Sequence, residues 1–501
     1  MEFFDHLWLG FGVALSAEGL LFCFIGALLG TFIGVLPGIG PTATIAMLLP
    51  ITYYLSPTSS LIMLAGIYYG SQYGGSTTAI LVNLPGEVSS SVTVLDGYQL
   101  ARKGKAGVAL SIAAIGSFVA GCIATLLIAL FAMPLASIAL SFGSTEYFAL
   151  ILLGLMASTA LAHGSVLKAL AMIVAGMLFS TIGTDVETGS YRFTGGLVEL
   201  RDGLSIVAVS LGIFGIVEVL RNLETLNDKP PETMPINSLW PSRDDINQSI
   251  GPILRGTFLG SILGVLPGGG SILSAFTSYA VEKRISKRPQ DFGRGAIAGV
   301  AGPESANNAG AQTSFIPLLT LGIPSHPLMA LMVGAMMIQG ITPGPRVVTD
   351  QPALFWGVIA SMWIGNAMLI VLNLPLVGLW VKLLRIPYLI MFPAIVAFST
   401  IGVFTVQNNV FDLYILAAFG LFGYLLHRLK CEPAPFLLGF VLGDLLEEHF
   451  RRAMNFSDQN PLVFVQQPIS AGLLAFGAII LLLATLPAIR KRRDEIFVED
   501  E

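Results

Sequence analysis

Long apolar runs follow one another along nearly the whole chain, separated by short polar stretches. The near-charge-free stretches 108–133, 204–217, 354–380 and 469–489 are each long enough, or nearly so, to cross about 30 Å of hydrocarbon as a helix. The least apolar internal stretch is 221–250, RNLETLNDKPPETMPINSLWPSRDDINQSI. It is polar, proline-rich and mixed in charge, and reads as a solvent-exposed cytoplasmic linker. It separates an N-terminal membrane half, 1–220, from a C-terminal half, 251–501. The pattern predicts an all-α polytopic membrane protein with about 10–14 membrane segments.

The apolar sequence is interrupted twice by the same phrase. Residues 30–40 read GTFIGVLPGIG, and residues 260–270 read GSILGVLPGGG, aligning without a gap. Each opens a longer matching stretch, Ala65 to Gly86 in the first half and Ala298 to Ser325 in the second. Pro37 and Pro267 lack a backbone donor and the adjoining glycines accept positive φ, so no helix runs through undisturbed. Backbone broken at membrane depth is tolerated only where it is buried in protein or lines a wet cavity. Duplicated halves carrying such breaks point to a secondary transporter with its site at the repeat interface.

Composition agrees. Hydrophobic residues make up 54% of the chain and charged residues 11%, against about 25% charged in an average soluble domain. The net charge of −5 says little about partners, and no basic patch with interleaved aromatics suggests nucleic acid. Cys23, Cys122 and Cys431 are scattered and form neither a metal set nor a disulfide framework. The N-terminus lacks the basic region of a cleaved signal peptide.

Basic residues give an orientation. Arg490 to Arg493 place the C-terminus in the cytoplasm. Lys283, Arg284, Lys287, Arg288 and Arg294 form a second basic group, and Arg102, Lys103 and Lys105 a third. These groups fall at different places in the two repeats, which is expected of inverted repeats. Tracing then makes 252–282 a re-entrant hairpin from the cytoplasmic side, with 18–36 and 39–55 its counterpart from outside. Single crossings follow at about 355–380, 388–406, 410–427, 432–446 and 469–489.

The candidate site lies at the breaks. Gly38, Gly40, Gly268 and Gly270 flank the two prolines, and half-helix N–H groups there would attract an anion. Ser76, Thr77, Thr78 and Asn83 in the first repeat, and Ser305, Asn307 and Asn308 in the second, are the predicted substrate contacts. Any one hydroxyl is better explained by interhelical hydrogen bonding; two related clusters favour a site. Glu87 and Glu304 stand at the cluster edges. Intramembrane carboxylates are costly and functional by default, so either could bind Na⁺ or carry H⁺ as coupling ion. A position at the water interface is the alternative for both. His326 follows the second break and carries a weaker signal.

At GVLPGIGPTATIAMLLP (Gly34 to Pro50), GIYYGSQYGGSTTAILVNLPGE (Gly66 to Glu87), DGYQLARKGKAGVAL (Asp96 to Leu110), GVLPGGG and GPESANNAGAQTSFIPLLTLGIP (Gly302 to Pro324), the chain resembles the large membrane subunit of the tripartite tricarboxylate transporter family. The resemblance implies a carrier of the bacterial inner membrane. It implies a small membrane subunit and a periplasmic solute-binding protein as partners. The cargo would be citrate, another tricarboxylate or a different organic acid, imported by symport down an ion gradient without an ATPase. No phosphate-binding GxxxxGK[ST] loop is present. No cofactor or resident metal is expected beyond the coupling ion.

The candidate clusters contain no Arg or Lys. A carboxylate would then be held by helix N-termini and neutral donors, with cations as charge partners. The polar cores, set among plainer apolar spans at 108–220 and 354–489, favour elevator-like alternating access. An ion channel and a non-transporting scaffold subunit are the rival readings. An intramembrane enzyme is disfavoured, because no metal set or GxSxG elbow stands in an apolar segment.

Overall fold

The computed structural model describes residues 2–36, 40–161, 165–185, 187–224, 233–266, 270–384 and 388–485. The principal helices of the first half are α1 (Glu2–Ala14), α2 (Ala17–Val35), α3 (Pro41–Thr52), α4 (Pro57–Val82), α5 (Ala106–Leu140), α6 (Ser144–Leu161), α7 (Val166–Ser180) and α8 (Ile206–Glu224). Those of the second are α9 (Arg243–Val265), α10 (Gly270–Ile285), α11 (Ala298–Thr313), α12 (Phe315–Leu321), α13 (Pro327–Ile338), α14 (Pro352–Asn373), α15 (Tyr388–Gln407), α16 (Phe411–Arg428), α17 (Pro433–Phe456) and α18 (Pro468–Thr485). A two-residue ladder pairs Gly183–Thr184 with Tyr191–Arg192. The fold is therefore all-α, and α2, α5 with its preceding turn, α8 and α14 are long and apolar enough to cross a membrane.

Local chemistry explains where these helices start and stop. Ser16 accepts from the N–H of Gly19 at the start of α2, and Ser56 accepts from Ser59 at the start of α4, with Pro57 at the first helical position. Ser242 and Asp245 form a reciprocal cap on α9. The polar stretch 221–250 is thus divided: 221–224 end α8, 233–242 are irregular, and Arg243 onward is helix. Within it, the Met234 N–H bonds Leu81 O at 3.0 Å. α4 ends on Asn83 in the left-handed region (φ 62) and α12 on Gly322 (φ 72). Each is followed two residues later by a proline, Pro85 or Pro324, which cannot continue a helix.

The two repeats are built by the same contact. On α2, Gly26, Gly30 and Gly34 face Met63, Gly66, Ile67, Ser71 and Gly74 of α4. On α9, Gly256, Gly260 and Gly264 face Gly302, Ala306 and Gly310 of α11. Four-residue spacing puts each set on one stripe of its helix, so the backbones touch directly. In the second repeat α10 packs on both α9 and α11, whereas in the first α3 touches α2 only slightly and packs mainly on α8, α13 and α15. Arg255 of α9 holds Glu282 of α10 through two bonds of 2.7 and 2.8 Å.

One end of this assembly gathers the basic segments. Lys103 Nζ donates to Arg294 O at 2.5 Å, Lys105 pairs with Asp245 at 3.2 Å, and the Asp96 carboxylate accepts from the N–H groups of Gly295 and Ala296 at 2.7 and 2.8 Å. Arg102, Lys103, Lys283, Arg284, Lys287, Arg288 and Arg294 are all exposed there. At the start of α4, Ser56 and Ser59 donate instead to Glu18, at 3.0 and 2.7 Å. Gln339 caps the carbonyls of Thr52 and Leu55 at the same end.

α5 and α14 belong with the polar helices rather than with a separate apolar layer. Gly116 of α5 meets Ser305, Gly121 meets Asn366 of α14, and Gly365 of α14 meets Tyr69 of α4. The more distant layers are α6, α7, α17 and α18, where Gly176 and Gly439 let α7 and α17 touch, and α8, α15 and α16, where Gly212 lies on Leu416 and Gly402 on Pro50 of α3.

A side chain on either glycine stripe must separate two backbones. A Cβ at Gly30 would stand 2.5 Å from Ile67 O, whereas one at Gly472 meets nothing within 4 Å. Gly30→Val and Gly260→Val should each cost on the order of 1–3 kcal/mol. They should lower the melting temperature of the detergent-solubilised protein, while Gly472→Ala leaves it within error. Equal melting for all three would refute the stripe contacts.

Candidate functional site

Each repeat brings a residue beside its first helix break against the break that follows its long helix. Gly86, in the break after α4, lies on the carbonyl of Gly34. Gly270, at the start of α10 with φ +55, lies on the ring of His326 in the break after α12. A matching pair of hydroxyls ties these parts together. Thr78 Oγ1 donates to Val35 O at 2.7 Å, and Ser314 Oγ donates to Gly264 O at 3.3 Å. Each satisfies a carbonyl in the last turn of a hairpin arm that has no following helical residue to bond it. Gly38 and Gly268, with Pro37 and Pro267, lie outside the described residues. Gly40 and Gly270 hold the near sides of the two tips.

Between the breaks, α4 and α11 come together around carboxylates. Glu304 is 1% exposed and accepts from Ser76 Oγ at 2.5 Å and from Thr93 Oγ1. This carboxylate is therefore deep within the protein. Glu87, half-buried, accepts from Gln72 Nε2 at 2.9 Å and Ser89 Oγ at 2.5 Å. Ser89 closes the set through Gln72 Oε1 at 3.0 Å. Neither carboxylate has a Lys or Arg in its ion-pair set among the described residues.

Beside them, buried amides are incompletely bonded. Asn307 approaches Glu87 from the other repeat, yet neither of its amide atoms completes a hydrogen bond. Asn308 donates to Ser117 Oγ at 2.6 Å and to Glu304 O at 3.1 Å, leaving Oδ1 without a partner. About two turns beyond Glu304 along α11, Gln312 accepts from Thr125 Oγ1 while its Nε2 is unbonded. Buried polar groups are almost always paired, so this cluster marks a place where protein partners alone do not complete the bonding. A cleft lined by Tyr73, Ser76, Thr77, Ser117 and Asn373 leaves about 10 Å³ beside it, room for roughly one water.

The expected residues fall into distinct places. Ser76, Asn307, Asn308, Glu87 and Glu304 converge on the cluster, and Thr77 lines its cleft. Thr78 serves the hairpin end. Asn83 is exposed and shapes the break through its backbone. Ser305 turns away, donating to Ala301 O at 2.8 Å against Gly116 of α5. Sequence reasoning did not single out Ser89, Thr93 or Ser117, which complete the polar set, or the Tyr68 hydroxyl, 3.0 Å from His326 Nε2. Ser89 and Thr93 sit in the polar run after Glu87, which reads as an interface; Ser117 is a lone hydroxyl in an apolar helix.

A family model described as the tripartite tricarboxylate transporter TctA family matches residues 20–438. Among relatives, the chain is 62% identical over 501 residues to an "uncharacterized 52.8 kDa protein in TAR-I ttuC' 3'region" of Agrobacterium vitis, covering all of both chains. It is 65% identical over 242 residues to an "uncharacterized protein in TAR-II ttuC' 3'region" of the same organism, covering 48% of this chain and all of that one. No solved structure matches.

Removing a donor from Glu304 leaves a buried carboxylate short of partners, at about 1–3 kcal/mol. Ser76→Ala and Thr93→Val should therefore lower the melting temperature, and Ser305→Ala should scarcely do so. The Ser76→Ala effect should shrink in a Glu304→Gln background, since the two groups are coupled. Additive effects of the two changes would show that the contact is energetically idle.

Proposed function

The chain belongs to the tripartite tricarboxylate transporter TctA family, and from that membership and the cluster at the paired helix breaks we propose that it carries a carboxylate into the cell with a coupling cation. The family makes it a membrane transport subunit rather than an enzyme. The finer reading rests on one observation: the incompletely bonded amides of Asn307 and Asn308 stand by Glu87 and Glu304, with no basic side chain in the cluster. Such a site repels a bare polyanion. Cations arriving with it would offset that repulsion, which supports coupling to Na⁺ or H⁺. Glu304 and Glu87 are the cation-facing groups. The substrate would lie against the N–H groups opening α3 and α10, with Asn307, Asn308, Ser76 and Thr77 as neutral contacts.

Positive charge on one end of the molecule supports placing that end in the cytoplasm of the inner membrane. On this reading α9 and α10 enter from the cytoplasmic side and α2 and α3 from the periplasmic side, as inverted re-entrant hairpins. A periplasmic binding protein would deliver substrate to the opposite end, with the small membrane subunit alongside. Citrate and related di- and tricarboxylates are the substrate class. Uptake of radiolabelled citrate and its analogues by cells carrying all three subunits should require an inward Na⁺ or H⁺ gradient, saturate, and show counter-transport. Asn307→Ala and Glu304→Gln should lower it at least tenfold with expression unchanged. Gradient-independent, non-saturating flux would mean a channel; full uptake in both variants would remove the site.

Alternating access would move the glycine-joined core against the layers formed by α6–α8 and α15–α18. α5 and α14 travel with the core, because they are packed on the polar helices. In the arrangement described, Pro50 Cβ lies 3.6 Å from where a Cβ on Gly402 would be, within disulfide range. With Cys23, Cys122 and Cys431 replaced, a Pro50→Cys/Gly402→Cys pair should oxidise, arrest uptake, and release it on reduction. Undiminished uptake in the oxidised protein would exclude sliding at this seam.

A further inference from the structure

An apolar groove of about 260 Å³ runs between α5 and α9, away from the polar cluster. Ile112, Ile115 and Val119 form one wall, and Ile246, Ile250 and Leu254 the other. Ile115, Ile246, Ile250 and Leu254 are exposed, so the groove opens sideways rather than into the core. Its head is at Pro241, on the basic end of the molecule. From Pro241 to Leu254 is about 20 Å at helical rise, somewhat more than the ~15 Å of one hydrocarbon leaflet.

The groove's mouth differs from its body. Arg243 is exposed and lies one turn before Ile246 on the same face of α9. Asp244 is turned to a different face, where it accepts from Gln248 at 2.7 Å. Lys105, half exposed, stands two turns before Ile112 and bridges to Asp245 across the head of the groove. Trp240 is 87% exposed beside them, the residue type that settles at a membrane–water boundary. Cations at the mouth, an interfacial indole and an apolar channel below match a phosphate headgroup with an acyl chain. A groove of this volume is too narrow to seat a helix about 10–12 Å across.

We propose that this groove is a binding site for an anionic phospholipid, held by its phosphate at Arg243 and Lys105 and by an acyl chain between α5 and α9. Both walls pack on α11, the helix that carries Glu304, so a bound lipid braces the back of the candidate site. The proposal stands whether or not that site is the carboxylate site, since it needs neither substrate nor coupling ion.

The test uses the purified full-length protein in mixed micelles with phosphatidylglycerol or phosphatidylcholine. Phosphatidylglycerol should raise the melting temperature at least about twofold more than phosphatidylcholine. Ile115→Trp and Ile250→Trp, which fill the groove from opposite walls, should each abolish that difference, and Arg243→Gln should reduce it. Using both walls keeps the result readable if one tryptophan variant fails to fold. Native mass spectrometry should find phosphatidylglycerol retained on the wild type and lost from the filled variants. Equal stabilisation by the two lipids, or an undiminished phosphatidylglycerol effect in the filled variants, would overturn the site.

Discussion

Backbone-to-backbone contact between paired helices is the constraint on which the other features depend. α2 meets α4, and α9 meets α11, along glycine stripes with no side chain between them. In a membrane, burial of apolar side chains gives little preference for one helix neighbour over lipid, and close van der Waals contact becomes decisive. The stripes fix the depth of each hairpin end against the break beyond its partner helix. They also leave the last carbonyls of α2 and α9 within reach of Thr78 and Ser314. With wider spacing, those carbonyls would lose their partners and Gly34 could not lie on Gly86.

The same economy of side chains shapes the site electrostatically. The Glu304 carboxylate is held by the hydroxyls of Ser76 and Thr93 rather than by cations. A fixed arginine would neutralise it permanently and could hold a carboxylate substrate too well for a carrier that must release it. On the proposed reading, neutral donors would leave the site's charge to be set by a mobile cation. In the candidate mechanism, affinity then follows the cation rather than the resting protein. The fixed ion pair of this region, Arg255 with Glu282, lies within the second hairpin. It joins α9 to α10 below the glycine stripe, where rigidity serves the hairpin.

Much of this was legible in the sequence because helix breaks have loud chemistry. The GVLPG phrases fall where α2 and α9 end, and NLPG and GIPS where α4 and α12 end. The spans at 388–406 and 410–427 lie within a residue or so of α15 and α16. The helical content of 243–250 was less visible, because polarity outweighed the Ser242–Asp245 cap. The neighbours of the apolar helices were also hidden. Apolar composition made α5 and α14 resemble a plain frame, but Gly121, Gly365 and Asn366 give them tight contacts with the polar helices. Composition reports what a helix is made of; neighbours depend on where its few small or amide residues fall. For Ser305 the reverse occurred: its type suited a site, but its position on α11 turns it to Gly116.

The repeats share a scaffold but not their chemistry, and that difference bears on how one site could serve an anion and a cation. Taking the glycine stripes as register, Gly66, Gly70 and Gly74 correspond to Gly302, Ala306 and Gly310. Tyr68 then occupies the place of Glu304. Taking the left-handed residues Asn83 and Gly322 as register, Glu87 occupies the place of His326. Each repeat thus supplies one carboxylate and one aromatic group at two equivalent positions, in opposite order. Tyr68 and His326 meet each other at 3.0 Å, while Glu304 and Glu87 are held by serine, threonine and glutamine. Had both repeats kept the carboxylates, four acids would converge and the cost of charging them together would exclude any anion. Had both kept the aromatics, no group would remain to attract a cation. Crossing the two sets gives one carboxylate per repeat, so on the proposed reading a cation held by Glu304 and Glu87 would bridge the halves.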